Sequence, residues 1–388
     1  MRRYFAFAGG AVAVAAALVG AAPLASPTGP LANSLVTLIK QRLNESATDT
    51  WTSGTYMEAL LELDYPSLSV FSSASYPPSS PTPPYEVDSL VAAWAAQRPS
   101  GTNELAHVSG GAAADPAALG VGWLVAAAFA DEGRKETLLA QARQEVRYLL
   151  EAVPRMSDGA ISHRPPGESA SLWADFISMV PPFLAYYGVA TSDRSYLETA
   201  YTQIQLYRGH LQSPSGSWRH VVGGGQFDDG GLWNTGNGWA AHGIVRVLAT
   251  MQNSDWNDTF VEEKADLTVW ATEILANAFQ HLKSDGLLPN YYDGASGSSF
   301  SDAAGSALLA AAAYRLAQLG GTDSTWLVRV AETIRSAVYA HINPGTGWLS
   351  PVVNPLSFKE QSSASPEGEA FLLLLDAAWR DYTASSSS

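Results

Sequence analysis

The stretch Asp158-Gly159-Ala160-Ile161-Ser162-His163 recurs in outline at Ser215-Gly216-Ser217-Trp218-Arg219-His220. Two further copies follow, at Asp285-Gly286-Leu287-Leu288-Pro289-Asn290 and at Thr346-Gly347-Trp348-Leu349-Ser350-Pro351. Each is a turn glycine followed by a short apolar or aromatic run, and each lies between two helical segments. Glycine there permits a tight turn with positive φ. The four glycines lie 57, 70 and 61 residues apart, which is the spacing of successive helical hairpins that share one loop face. Six such units use up 388 residues and close into an (α/α)6 toroid. The expected fold is therefore all-α, a single domain over 30–384.

Between the turns, apolar residues repeat with helical period. Leu197, Ala200, Tyr201, Ile204 and Leu211 share one stripe; Leu327, Val330, Ala331, Ile334 and Val338 share another. Further helices are expected over 119–130, 135–152, 172–188, 240–252, 261–282, 302–318 and 368–382. The last three are rich in Ala and Leu, as buried inner helices of a layered fold are. No convincing strand alternation is present. The Pro/Ser-rich residues 72–84 read as a surface loop within the first hairpins, because only about 50 mature residues precede them. The Ser-rich end, 385–388, reads as a disordered tail.

A hydrophobic fraction of 46% is ample for a core, and 15% charged residues is low for a cytosolic protein. A net charge of −15 argues against a grip on nucleic acid or an anionic membrane. It leaves an anionic sugar open, since a pocket can hold local cations. The 12 Trp, 16 Tyr and 12 Phe suffice for both a core and a sugar-stacking cleft. Arg2 and Arg3, the apolar run Tyr4 to Val19 and the small residues Gly20 to Ala25 follow the order of a secretory signal over 1–25. A secreted protein with no membrane attachment after cleavage is expected. The absence of cysteine excludes disulfides, a thiolate nucleophile and zinc–thiolate sites. Asn44-Glu45-Ser46 and Asn257-Asp258-Thr259 fit the glycosylation sequon and count only in a eukaryotic host.

Asp175 lies in the otherwise apolar Trp173-Ala174-Asp175-Phe176-Ile177-Ser178-Met179. A carboxylate there is costly unless it is paired, hydrogen-bonded or faces a cavity; a helix cap accounts for the same pattern. Asp115, before Pro116, reads first as a helix cap, and second as a carboxylate that shares acid and base work with Asp175 across one cavity. His163 and His220 occupy the same place, four residues after their repeat glycines, so both belong at one mouth as substrate or acid–base contacts. No His-Glu-x-x-His spacing suggests a metal. Trp233-Asn234-Thr235-Gly236-Asn237-Gly238-Trp239 reads as indole faces for sugar C–H groups with Asn237 as a hydrogen-bond arm, one of the two tryptophans belonging to the core. The preceding Gly223-Gly224-Gly225-Gln226-Phe227-Asp228-Asp229 lacks the Lys-Ser/Thr of a phosphate loop.

Taken in order, Gly159 to His163, Trp173-Ala174-Asp175 with Met179, the Ser215–His220 turn and the Trp233–Trp239 string resemble glycoside hydrolase family 105, relatives of family 88. The match is strongest from about 115 to 250 and continues weakly through Ser301–Ala307 and Glu367–Phe371. The resemblance implies a six-hairpin toroid that removes a terminal 4,5-unsaturated uronic acid from oligosaccharides left by polysaccharide lyases, of the pectin or rhamnogalacturonan type. It casts Asp175 as the acid that protonates C4=C5 and activates water for C5, and Asp115 as its partner. It makes His163, His220, Trp173, Trp233, Thr235, Asn237 and Trp239 substrate contacts, with no metal or organic cofactor. One departure stands out: relatives carry Arg where this chain has Thr235, which cannot make a bidentate charged contact. Arg164, Arg219 or another cation then replaces it, or the substrate differs. A conventional glycosidase, a lyase and a non-catalytic sugar-binding toroid remain alternatives on the same fold.

Overall fold

The computed structural model describes residues 29–72, 82–107, 111–225, 228–294, 299–320 and 324–386. The expected signal segment and residues 73–81 of the Pro/Ser-rich stretch lie outside these. Twelve α-helices alternate between two layers among the described residues. The outer layer is α1 (Asn33–Ser46), α3 (Tyr85–Gln97), α5 (Glu132–Arg147), α7 (Ser195–Leu211), α9 (Val261–Ala278) and α11 (Thr325–Ala340). The inner layer is α2 (Thr50–Leu63), α4 (Gly120–Phe129), α6 (Phe176–Thr191), α8 (Asn234–Asn253), α10 (Ala303–Leu319) and α12 (Pro366–Ser386). Inner helices are buried nearly all round, whereas outer helices bury one stripe. Neighbouring inner helices pack in sequence order, with a 3₁₀ turn (Asp115–Leu119) helping α4 bridge α2 and α6. Helix α12 packs back on α2, which closes the (α/α)6 toroid.

All four repeat glycines have positive φ: 98° at Gly159, 104° at Gly216, 81° at Gly286 and 83° at Gly347. Each turn joins an outer helix to the next inner one, so the loops and the inner-helix N-termini share one face. A single backbone device repeats there. The carbonyl four residues after each glycine accepts an N–H at the start of the preceding inner helix. The pairs are Ala114 N to His163 O (3.3 Å), Ala174 N to His220 O (2.9 Å), Asn234 N to Asn290 O (2.8 Å) and Ala303 N to Pro351 O (2.9 Å).

Three differences from the sequence expectation have local causes. Helix α8 begins six residues earlier than expected, so the glycine-containing string from Asn234 is helix, not loop. Its glycines are packing residues: a Cβ on Gly238 would lie 3.2 Å from Leu308, and one on Gly243 would overlap the Ile177 carbonyl. That carbonyl and Ser178 O are the two left without helical donors by Pro181 and Pro182 inside α6. Helix α8 packs over the first and donates Arg246 Nη1 to the second at 3.1 Å. Helix α12 also runs through Ser385 and Ser386, whose hydroxyls bond Tyr382 O, two residues into the end read as disordered.

The third difference is three two-stranded antiparallel ribbons that no sequence alternation announced. They are β1 (Leu172–Trp173) with β2 (Val221–Val222), β3 (Leu288–Pro289) with β4 (Ser301–Asp302), and β5 (Val352–Asn354) with β6 (Ser357–Ser362). All rim the loop face, and every strand but β6 has only two or three residues, too short to carry a period. No helix among the described residues is long and apolar enough to cross a membrane.

Candidate active site

The loop face gathers acidic residues at the inner-helix N-termini: Asp115 before α4, Asp175 before α6, Asp302 before α10 and Glu367 in the first turn of α12. Helix dipoles present their positive ends to this mouth and favour anions there. The carboxylates do different jobs. Asp302 is a true cap: its oxygens accept Ala304 N (3.1 Å), Gly305 N (3.1 Å) and Val353 N (3.2 Å). Asp175 makes no capping bond. Its Oδ2 is buried without a hydrogen-bond partner, so the capping role open from sequence falls away. Asp115 accepts Ala112 N at 3.1 Å, three residues back, and does not cap the turn it begins.

Each of these two aspartates meets one repeat histidine. His163 Nε2 lies 3.6 Å from Asp115 Oδ1, and His220 Nε2 lies 3.5 Å from Asp175 Oδ2. Trp173 stands between the pairs, stacked on His163 (centroids 5.0 Å, 20°) and edge-on to His220 (5.4 Å, 79°). Its indole Nε1 donates to Ser171 Oγ at 3.0 Å. Burial pushes Asp115 up to about 7, assisted by the Asp175 carboxylate and opposed by the Ala112 N–H. Burial pushes His163 down to about 4. For His220 burial acts downward too, but the Asp175 and Asp229 carboxylates on its two nitrogens outweigh it and raise the value.

Other residues picked from the sequence support the site without facing it. Trp233 is 1% exposed and Trp239 2%, so neither offers an open indole face and the expectation of one exposed tryptophan is corrected. Trp233 lies against His220 at 4.4 Å and donates Nε1 to Asn290 Oδ1 at 3.0 Å. Trp239 packs edge-on to Phe371 and takes Ser178 Oγ on its carbonyl at 2.7 Å. Asn237 is buried and saturated: its Oδ1 accepts Trp218 N (2.7 Å), and its Nδ2 donates to Trp218 O (2.9 Å) and Trp233 O (2.8 Å). It ties the loop to α8 and is no free arm. Thr235 is likewise buried, its hydroxyl donating to Asp302 Oδ2 at 2.8 Å beside Asn234 Nδ2 at 2.9 Å.

Three residues here escaped the sequence reading. Asp229 Oδ2 meets His220 Nδ1 at 3.0 Å and accepts Tyr291 OH at 2.5 Å. Phe358, on β6, packs edge-on to His220 (4.5 Å, 83°) and tilted on Trp233 (5.0 Å). Glu367 accepts Trp51 Nε1 at 2.6 Å. Burial, followed by the Asp175, Asp302 and Asp115 carboxylates, raises Glu367 to about 8 against that bond. Only Glu367 left a signal, as an acid at a helix start. Asp229 and Phe358 arrive by tertiary pairing.

One group of described residues has metal-ligand composition: Glu58, Glu62 and His242, whose ligand atoms lie within 4.8 Å of one another. It lies inside the ring on α2 and α8, toward the ends of the helices away from the mouth. Arg246 Nε stands 2.8 Å from Glu58 Oε1 and Arg315 Nη2 2.6 Å from Glu62 Oε2. Guanidinium groups thus already supply the positive charge there.

The loop face of the toroid thus holds two carboxylate–histidine pairs around a tryptophan, the residue types of a carbohydrate-active enzyme. Residues 112–320, more than half of the chain, match the model of Glycosyl Hydrolase Family 88, and the chain belongs to that family. It is a glycoside hydrolase. No curated protein matches the sequence. Among solved structures, a possible member of the GH105 family from Salmonella enterica subsp. enterica serovar Paratyphi A superimposes with a TM-score of 0.70 at 18% identity, covering 92% of this chain and 96% of that one. A family 88 glycosyl hydrolase from Bacteroides vulgatus gives 0.66 at 12%, covering 90% and 97%. The unsaturated glucuronyl hydrolase of Bacillus sp. GL1 gives 0.59 at 15%, covering 89% and 94%. At these identities the likeness establishes the fold.

Proposed function

We propose that this enzyme removes a terminal 4,5-unsaturated uronic acid from lyase-generated oligosaccharides of the pectin or rhamnogalacturonan type, outside the cell. The observation that carries the proposal is Asp175, buried at a helix start where its side chain makes no capping bond and its Oδ2 faces His220 Nε2 at 3.5 Å. A carboxyl so placed gives its proton to C4 of the vinyl ether. Water then adds to the cation at C5 and returns a proton to Asp175, and the resulting hemiketal opens to release the sugar. The net change is addition of one water. Helix N-termini at the mouth suit a substrate carboxylate. Thr235 is committed to Asp302, so the carboxylate is received on the side of Arg164. The charge of Arg164 acts on Asp115 and His163, and its guanidinium is held bidentately by Glu168 at 2.9 and 3.1 Å.

The test is a substrate screen. Unsaturated oligosaccharides should be consumed with loss of absorbance near ~235 nm, the region of the conjugated acid whose double bond the general acid protonates. Turnover of saturated glycosides alone would overturn the proposal. The proposed export is supported by the basic, apolar and small-residue order of residues 1–25 and is checked by the N-terminal sequence of the protein recovered from culture medium.

A further inference from the structure

The two histidines of the mouth differ at the nitrogen that does not face an aspartate. His163 Nδ1 has no hydrogen-bond partner. His220 Nδ1 lies 3.0 Å from Asp229 Oδ2. Asp229 is held in place by its own backbone, paired with Val221 in both directions (2.9 and 3.3 Å), while His220 N donates to Gly231 O at 3.0 Å. Its Oδ2 also accepts Tyr291 OH at 2.5 Å, and its Oδ1 accepts Gly231 N at 3.2 Å. An ionised carboxylate only accepts, so the imidazole proton is fixed on Nδ1. His220 Nε2 then faces Asp175 Oδ2 at 3.5 Å, and neither atom has another hydrogen-bond partner. The ring cannot turn away, since Trp173, Trp233 and Phe358 wall it in.

We infer that Asp229 is a positioning residue that fixes the His220 tautomer, so that Nε2 and Asp175 Oδ2 share a single proton and that proton is the one delivered to the substrate. This rests on the reaction proposed above and accounts for its proton. The shared proton goes to C4, leaving Asp175 ionised beside a neutral imidazole. The water that attacks C5 returns one proton to the same pair. Nothing is oxidised or reduced.

Asp229→Asn tests this sharply. Gly231 N requires an acceptor at the Oδ1 place, so the amide oxygen goes there and the amide NH2 faces Tyr291 and His220 Nδ1. A donor at Nδ1 forces the other tautomer, with a proton on Nε2 aimed at Asp175, and the pair can no longer present an acid. Tautomers are read from imidazole nitrogen chemical shifts in substrate-free protein, with His220 assigned by loss of its signals in His220→Gln. The wild type should carry its proton on Nδ1 and Asp229→Asn on Nε2. In the variant kcat should fall by up to about 10⁴-fold, the loss seen when a catalytic histidine is held in the wrong tautomer, with KM within about threefold. Asp229→Glu should restore the tautomer and part of the rate, and Tyr291→Phe should change neither the tautomer nor kcat by more than about tenfold.

A wild-type ring protonated on Nε2 with Nδ1 bare would overturn the inference. So would full activity after the tautomer has switched, or a loss of rate that tracks a lower Tm with the tautomer unchanged. If the switch occurs as described but the wild type ignores unsaturated oligosaccharides, the proposed reaction fails while the role of Asp229 in fixing His220 stands.

Discussion

The Asp115–His163 corner and the Asp175–His220 corner are the same construction used twice. In each, a histidine four residues after a repeat glycine offers its carbonyl to the residue before an aspartate, and its Nε2 approaches that aspartate at about 3.5 Å. Trp173 touches both rings. Yet one histidine is driven down to about 4 and the other upward. Backbone geometry does not separate them; the carboxylates do, since Asp175 and then Asp229 outweigh burial at His220, whereas burial prevails at His163, whose far nitrogen is empty. Repeats thus deliver the carboxylate–histidine geometry, and a residue outside the repeat, Asp229, makes the two corners differ in charge.

The comparison is broken or sharpened first by removing each carboxylate's charge. Asp175→Asn should lower kcat by roughly 10³-fold, in the range expected for losing a general acid, with circular dichroism and Tm close to wild type. Asp115→Asn should cost less in kcat, on the order of tenfold, because the proposed reaction takes its proton from the Asp175–His220 pair. Equal losses in the two variants would mean that the corners are functionally equivalent and would discard the division.

The same Asp115→Asn variant makes a second prediction, in stability. Burial places the folded carboxyl at about 7 against an ordinary 3.8. Below pH ~4 both folded and unfolded chains carry the proton and there is no cost. Between there and 7 the unfolded chain gives its proton up while the folded chain keeps it, so the native state loses stability as pH rises. Asn escapes this and can still accept Ala112 N, so it should be more stable than wild type by up to about 4 kcal/mol at pH 7.5 and nearly equal at pH 4. Urea midpoints at the two pH values measure it; a variant less stable at both would show that the ionised carboxylate is well supported in place.

How much of this was legible before the structure follows from where each signal lives. The four glycine turns and the stripes of α7 and α11 are local, so the hairpins and the toroid could be read directly. His163, His220, Asp115 and Asp175 were found because repeat position and helix starts are also local features. The start of α8 was misplaced because Gly236 and Gly238 read as loop glycines, whereas they are packing residues, Gly236 against Trp233 and Ala174 and Gly238 against Leu308 of α10. Trp233, Trp239, Asn237 and Thr235 have the residue types of a sugar site but face inward. Burial of a polar side chain with all its bonds satisfied leaves no mark in composition or period. Asp229 was overlooked inside a glycine-rich string because its importance arises only when Val221 pairs with it across a ribbon.

The smallest expected effect concerns the quiet histidine. His163 sits at about 4 when folded against 6.5 when not, through burial. As pH falls from 6.5 toward 4, the unfolded chain takes up a proton that the folded chain refuses, so stability is lost in that window and is fully present above it. His163→Phe keeps an aromatic ring for Trp173 to stack on and removes the titration. Its fall in stability between pH 7 and pH 4.5 should be shallower than wild type by about 2–3 kcal/mol, and its kcat should change far less than that of any His220 substitution. His220 has the opposite sign: its folded value is raised by its two carboxylates, so its contribution is present at low pH and is lost as pH rises through the folded value. If both substitutions flattened the acid limb alike, the two corners would not differ in charge, and Asp229 could not be what sets them apart.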